Sequence, residues 1–100
     1  MLERDIEKKL VRPIRDLGGR CLKFETPGFT GVPDRIILLP GAHIVFVETK
    51  HPGKKERARQ VYVHGLLRAM GFTVYSTIDS VVKVAAIIED CRRLVYGESV

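Results

Sequence analysis

The sequence predicts an α/β fold, a mixed β-sheet flanked by helices with the elements in the order αβββαβα. Three observations support this prediction. Three segments repeat apolar residues at the three- and four-residue spacing of amphipathic helices. Four short runs between them are rich in β-branched and aromatic residues, and Gly, Pro or polar residues bound each run. Two of these runs flank a Pro-Gly-Ala-His segment, which is typical of a β-hairpin.

The first helix is predicted over residues 2–17, where Gly18-Gly19 follows and ends it. Its apolar residues share one face at helical spacing; they are Leu2, Ile6, Leu10, Ile14 and Leu17. Pro13 lacks a backbone donor, so we expect the helix to kink or split in its last third.

The first strand is predicted over residues 20–25, and a loop rich in Gly and Pro follows at residues 26–33. The next two strands are residues 35–39 and 44–47, which form a hairpin around residues 40–43.

The second half of the chain predicts a helix, a strand and a helix. Residues 56–70 have helical spacing, and residues 72–77 form the fourth strand. Asp79 or Ser80 caps a last helix that runs to about Tyr96, after which Gly97 ends the fold.

Size and composition indicate one globular domain that covers residues 1–100, with 45% hydrophobic and 29% charged residues. The net charge of +5 favours polyanionic partners such as nucleic acid, although charge alone identifies none. Cys21 and Cys91 form no metal-binding motif and no disulfide framework. The charged N-terminus lacks the apolar core of a signal peptide, and no run is long enough for a bilayer, so we expect a cytoplasmic protein without membrane contact.

The candidate site lies on the hairpin, where Asp34 begins one strand and Glu48 and Lys50 end its partner. Side chains two apart on a strand point to the same face, so Glu48 and Lys50 emerge together. A regular four-residue loop would place Asp34 opposite Thr49 and turn Glu48 to the other face. For a shared site, we therefore predict an odd-length loop, or a bulge or break in pairing near Asp34.

The chemistry that fits this group is phosphoryl transfer. Carboxylate oxygens are suitable ligands for Mg²⁺, which keeps some of its waters for a substrate phosphate. A lysine adds positive charge near the transition state and helps to position or deprotonate a water on the metal. Taken separately, Asp34 fits a turn residue and Glu48 with Lys50 a solvated strand face. However, the preceding residues 44–47 are apolar, and burying Glu48 beside them is costly unless a cation pairs with it.

Pro33-Asp34, followed fourteen residues after Asp34 by Glu48-Thr49-Lys50, resembles the motif of the PD-(D/E)XK nuclease superfamily. More specifically, the chain resembles its VRR-NUC branch over nearly the whole length. The shared features are an acidic first helix, Gly-Gly, a Pro-Gly loop, Gly-Val-Pro-Asp-Arg, the hairpin, Glu-x-Lys, Pro-Gly-Lys-Lys and a Gln that opens the next helix.

The resemblance implies a PD-(D/E)XK nuclease-like fold and a Mg²⁺-dependent DNA endonuclease in which Mn²⁺ substitutes. It assigns the metal ligands to Asp34, Glu48 and the main-chain carbonyl of Thr49, and it makes Lys50 catalytic. Branch members commonly have an apolar residue where Thr49 stands, which should matter little because the family uses its main chain. Gln60 would contact the scissile phosphate or a water on the metal; from the sequence alone it is only a polar residue near a helix end.

The resemblance also implies a carboxylate from the first helix. Relative to the apolar stripe, Glu3 departs by about 40° and Glu7 by about 80°, so Glu3 is the better catalytic candidate. Its alternative role is a favourable acidic side chain near a helix N-terminus.

A basic run beside the site is suited to tracking DNA phosphates, or is simply a solvated helix start; it consists of Lys54, Lys55, Arg57 and Arg59. The three histidines have no metal-ligand spacing, and we assign no role to His43, His51 or His64.

Free-standing domains of this branch are phage and bacterial proteins acting on branched DNA, so the expected substrate is a four-way (Holliday) junction, in the host cytoplasm if the chain is phage-encoded. One alternative is a restriction-type or nicking nuclease, although 100 residues leave little room for base-reading elements. Another is a non-catalytic DNA-binding module, against which the intact acidic and basic residues argue.

The last helix favours a homodimer, because its apolar residues cover roughly 240° of the wheel, against the roughly 100° that one packed face requires. These residues are Val81, Val82, Val84, Ala85, Ile87, Ile88, Cys91, Leu94 and Val95. The excess marks an interface or is covered by the first helix. A two-fold dimer would supply the two cuts that a junction needs.

Overall fold

The structure, a computed structural model, describes residues 3–97 and has a four-stranded sheet with three helices. The elements are α1 (Glu3–Asp16), β1 (Arg20–Lys23), β2 (Arg35–Leu39), β3 (His43–Thr49), α2 (Ala58–Ala69), β4 (Thr73–Ile78) and α3 (Val81–Tyr96). Their order confirms the predicted αβββαβα succession. Compared with the prediction, β3 is longer at both ends and α2 begins later.

The strands lie in the order β1-β2-β3-β4. β1 and β3 each pair antiparallel with β2, whereas β4 pairs parallel with β3 after the crossover through α2. The sheet is therefore mixed, as predicted. It has α1 and α3 on one face, and α2 packs against β4 on the other.

The turn between β2 and β3 sets the geometry of the site. Leu39 pairs with His43, so the loop contains three residues, and the predicted odd-length loop is confirmed. Arg35 pairs with Val47, and one further step of this register places Asp34 opposite Glu48. Asp34 and Glu48 therefore lie on the same face of the sheet.

The main core lies between the sheet and the α1–α3 layer. Ile6, Leu10 and Ile14 of α1 are fully buried there, whereas Leu2 of the predicted stripe lies outside the described residues. The helix does not split at Pro13: it continues to Asp16, and the Leu17 N–H still bonds to the Pro13 carbonyl. Packing of its apolar face compensates for the one donor that proline lacks.

The last helix is capped as predicted, by the Ser80 hydroxyl at its start and a left-handed Gly97 at its end. α1 packs against α3, and Ile88 and Val95 are partly buried on the core, so α1 covers part of the apolar surface. Val82 and Tyr96 stay largely exposed. Within residues 3–97, no helix combines the length and the apolar character that crossing a bilayer requires.

Candidate active site

The end of β3 carries a buried polar group of Glu48, Thr49 and Lys50, which are 1%, 0% and 9% exposed. Glu48 and Lys50 share the face of the sheet that α2 covers, and the Lys50 ammonium donates to Glu48 Oε2 at 2.8 Å. The strand that buries Val45 and Val47 on the α1–α3 face thus also buries a carboxylate on the other face.

One oxygen of Glu48 accepts two hydrogen bonds, and the other accepts none from the described residues. Oε2 accepts from both Lys50 and the Gln60 amide, the latter at 3.0 Å. Oε1 is buried and has no hydrogen-bond partner within residues 3–97. An unpaired buried carboxylate oxygen carries a desolvation cost, which a bound cation would remove.

The acid-base properties of Glu48 reflect this environment. Burial, opposed by the hydrogen bond from Lys50 and reinforced by the charge of Asp34, raises the pKa of Glu48 to about 7. The two carboxylates are thus close enough to repel each other, which is the arrangement that a divalent cation stabilises.

Asp34 is held by the residue between Glu48 and Lys50. Its Oδ2 accepts from the main-chain N–H of Thr49 at 3.1 Å and from the Thr49 hydroxyl at 3.0 Å. Thr49 stands where members of the resembled branch commonly have an apolar residue, a difference that was expected to matter little. Instead, its hydroxyl fixes the Asp34 carboxylate.

Gln60 links the start of α2 to the site. Its side-chain oxygen accepts from the Arg57 N–H at 2.9 Å, so it caps the helix start, while its amide donates to Glu48. The structure thus places Gln60 beside Glu48, and its cap occupies the third helical position, as in a capping box.

His64, to which the sequence assigned no role, also reaches the site. It is fully buried, its Nδ1 lies 2.6 Å from Glu56 Oε2 and 2.9 Å from Ser76 Oγ, and its Nε2 lies 3.9 Å from Glu48 Oε1. Burial lowers the pKa of His64, against the opposing charge of Glu56. The available signal was its position four residues after Gln60, which places both on one helical face.

The two carboxylates of α1 have different partners. Glu7 pairs with Arg35 at 3.1 Å, whereas Glu3 accepts from the main-chain N–H of His51, the residue after Lys50, also at 3.1 Å. Both line a cleft of about 190 Å³, together with Lys23, Phe24, Glu25 and Asp34. Glu3 thus lines the cleft beside Asp34 and also contacts the segment that follows Lys50.

A bulge in β4 adjoins the site. Val47 pairs with Tyr75, but Thr49 pairs with Ile78, so β4 has one more residue than β3 across this stretch. Thr77 absorbs the extra residue with a φ of +55°, a left-handed conformation that is strained for a β-branched side chain.

The metal-binding capacity of the site is modest. Among residues 3–97, no three His, Cys, Asp or Glu side chains gather as a ready metal cluster. Asp34 and Glu48 offer two carboxylates, which fits a hard cation that keeps several waters better than zinc. Cys21 and Cys91 are buried, and burial raises the pKa of each thiol to about 11, so both stay protonated.

The basic run predicted to bind DNA is exposed at the start of α2, as Lys54, Lys55, Arg57 and Arg59. Arg59 additionally donates to the Thr30 carbonyl at 3.0 Å, which ties α2 to the loop before Asp34.

Comparison with known proteins adds two similarities. No family model matches the chain. The chain is 47% identical over 72 residues to p44 of Acyrthosiphon pisum secondary endosymbiont phage 1, which carries a nuclease name; the match covers 72% of this chain and 77% of p44. It is also similar to a solved structure described as a VRR_NUC domain, with a TM-score of 0.80 and 31% identity, covering 87% of this chain and 94% of that one.

Proposed function

Because the chain belongs to the VRR-NUC nucleases, we propose that it is a Mg²⁺-dependent DNA endonuclease that hydrolyses phosphodiester bonds at the Asp34–Glu48–Lys50 site. The observation that supports this proposal most is the buried Glu48 carboxylate, which has one oxygen without a hydrogen-bond partner among residues 3–97 and lies opposite Asp34. If Glu48 had only a structural role, the core would contain a carboxylate that Asp34 repels and that has one unpaired oxygen. In a nuclease, this carboxylate would serve as a metal ligand.

The residues that would hold the metal are Asp34, Glu48 and the main-chain carbonyl of Thr49. The buried Oε1 of Glu48, which lacks a hydrogen-bond partner among residues 3–97, and the repulsion between the two carboxylates fit a divalent cation. When bound, Mg²⁺ supplies Lewis-acid stabilisation of the phosphate charge and lowers the pKa of water; Mn²⁺ would substitute. Thr49 keeps Asp34 in place through two hydrogen bonds.

Lys50 and Gln60 complete the site. The Lys50 ammonium keeps Glu48 Oε2 paired and brings positive charge to the place where phosphate charge develops. Gln60 holds the same oxygen, so the two donors fix Glu48 in one orientation and leave Oε1 for the cation. Glu3, at the cleft beside Asp34, is the helix-borne carboxylate that helps to position the attacking water.

Branched DNA, such as a four-way junction, is the proposed substrate, and the working unit is a homodimer. The exposed basic run before and within the first turn of α2 provides phosphate contacts without base readout. The exposed part of α3, with Val82 at 79% exposure, is the surface proposed to pair the two copies. A two-fold dimer presents two sites to a pseudo-symmetric junction.

The test is cleavage of linear duplex, nicked, flap and four-way-junction DNA by the purified chain, with Mg²⁺, with Mn²⁺ or with chelator. Metal-dependent paired cuts in the junction support the proposal. Preference for linear duplex at defined sequences would favour a restriction-type nuclease, single cuts a nicking enzyme, and binding without cutting a non-catalytic module.

A further inference from the structure

An exposed cluster beside the site combines Arg59 of the basic run with two aromatic rings to which no role has been assigned above. The Arg59 guanidinium lies 4.8 Å from the centroid of the Phe29 ring and 5.4 Å from that of Tyr62. Phe29 is 44% exposed and Tyr62 57% exposed, so both rings keep a large open surface. We call Phe29, Arg59 and Tyr62 the aromatic platform.

The loop that carries Phe29 is held in a fixed shape. Thr26 to Phe29 form a turn in which the Phe29 N–H donates to the Thr26 carbonyl at 3.2 Å and the Thr26 hydroxyl to the Phe29 carbonyl at 2.6 Å. Pro27 and Gly28, the latter with a φ of +79°, supply the conformations that such a turn needs. Phe29 is thus pre-positioned on the surface at little further cost in conformational entropy.

The same loop is docked on α2. Gly31 has a φ of +92°, and a Cβ at this position would lie 2.8 Å from the Arg59 side chain and main chain, so only glycine permits the approach. The Arg59 hydrogen bond to Thr30 closes the contact from the other side. The two halves of the platform therefore form one surface.

The platform is continuous with the active site along both of its supports. The loop runs from Phe29 directly into Asp34, and on α2 Arg59 immediately precedes Gln60, which holds Glu48. A DNA strand whose phosphate reaches Glu48 therefore has its neighbouring nucleotides near the platform.

We propose that the aromatic platform stacks against an unpaired DNA base next to the scissile phosphate; this rests on the proposed nuclease function. Bases inside a duplex stack on each other, and only unpaired ones offer a free π-face to a protein ring. The Arg59 charge and the nearby Lys54 and Lys55 fit a polyanionic strand better than an apolar protein partner. The platform thus selects DNA with unpaired nucleotides, as at flaps and ends, or at a branch point where a base pair has opened.

The first test measures binding of a fluorescent oligothymidylate of about twelve nucleotides by anisotropy in chelator, so that no cleavage occurs. Phe29→Ala and Tyr62→Ala should each weaken binding roughly five- to 100-fold, with an unchanged salt dependence because no phosphate contact is lost. Arg59→Lys keeps the charge but loses the planar stacking partner, and it should also weaken binding. Met70→Ala, which removes an exposed side chain directly after the last residue of α2, at the opposite end from Arg59, is the control and should bind normally.

A second measurement identifies the contact. A 2-aminopurine placed at an unpaired position beside a branch should change its fluorescence when the wild-type chain binds and stay unchanged with Phe29→Ala. Wild-type affinity in both alanine variants would overturn the proposal. So would a loss of self-association in Phe29→Ala by sedimentation, because the platform would then be a contact between copies.

The two proposals fail separately. If the chain cuts DNA with Mg²⁺ and the platform variants bind and cut normally, only the platform is wrong. If platform-dependent binding is found but no DNA is cut, the nuclease proposal is wrong and the platform stands as a single-strand binding surface.

Discussion

Replacing the buried Glu48 by glutamine should stabilise the metal-free protein at neutral and alkaline pH. The folded state raises the pKa of this carboxyl from 4.5 to about 7. Each tenfold change in the ionisation constant corresponds to about 1.4 kcal/mol, so the ionised carboxylate costs the folded state about 3 kcal/mol. Glutamine keeps the shape and acceptor oxygen of the side chain and carries no charge to desolvate.

The sign of the pH dependence follows from proton binding. Between pH 4.5 and about 7 the unfolded chain has released the Glu48 proton and the folded chain still holds it. Stability therefore falls as pH rises through this window. Wild type and Glu48→Gln should be about equally stable near pH 4, and the variant should be more stable by about 3 kcal/mol near pH 8.

The assay is urea unfolding of both proteins in chelator across this pH range, with the difference between them as the observable. Asp34→Asn is the matched control. It removes the charge that repels Glu48 and should therefore show part of the stabilisation expected of Glu48→Gln near pH 8. Excess Mg²⁺ should stabilise wild type more than Glu48→Gln, because binding to the folded state adds to its stability. A difference that stays constant from pH 4 to pH 8 would contradict the raised pKa of Glu48.

Three further predictions concern α1, the bulge and α3. Glu3→Gln should cost more cleavage activity than Glu7→Gln in single-turnover assays, and the reverse order would move the helix-borne role to Glu7. Thr77→Gly should raise the unfolding free energy by about 1 kcal/mol through relief of the left-handed φ, and an unchanged value would show that the bulge is unstrained. Val82→Glu should give soluble monomers by sedimentation, whereas an unchanged dimer mass would place the interface elsewhere.

Local patterns determine much of this fold. The signals are the apolar spacing of α1, the apolar runs of the strands, and the caps at Ser80 and Gly97. Each signal involves residues only a few positions apart in the chain, and the structure has the corresponding elements where they were predicted. The hairpin register was restricted for a different reason: Asp34 and Glu48 share a face only with an odd-length loop or with a bulge or break near Asp34, and the structure has the odd-length loop.

The remaining details depend on contacts between distant segments. His64 has a helix-surface pattern, and its burial follows from the crossover that brings α2 onto β4 beside Ser76. The hydroxyl bond from Thr49 to Asp34 and the bulge at Thr77 likewise arise only when three strands meet. The wheel pattern of α3 left open whether α1 covers its excess apolar residues, and the structure shows that α1 covers part of them.

The most direct test of the account is the single-turnover rate of four-way-junction cleavage, measured for wild type and for Asp34→Asn, Glu48→Gln and Lys50→Ala. With Mg²⁺, wild type should cut, and each variant should be slower by at least about 100-fold while folding and binding the junction normally. With chelator, wild type should not cut. Cleavage at the wild-type rate in chelator, or in any of the three variants, would contradict the assignment of the active site.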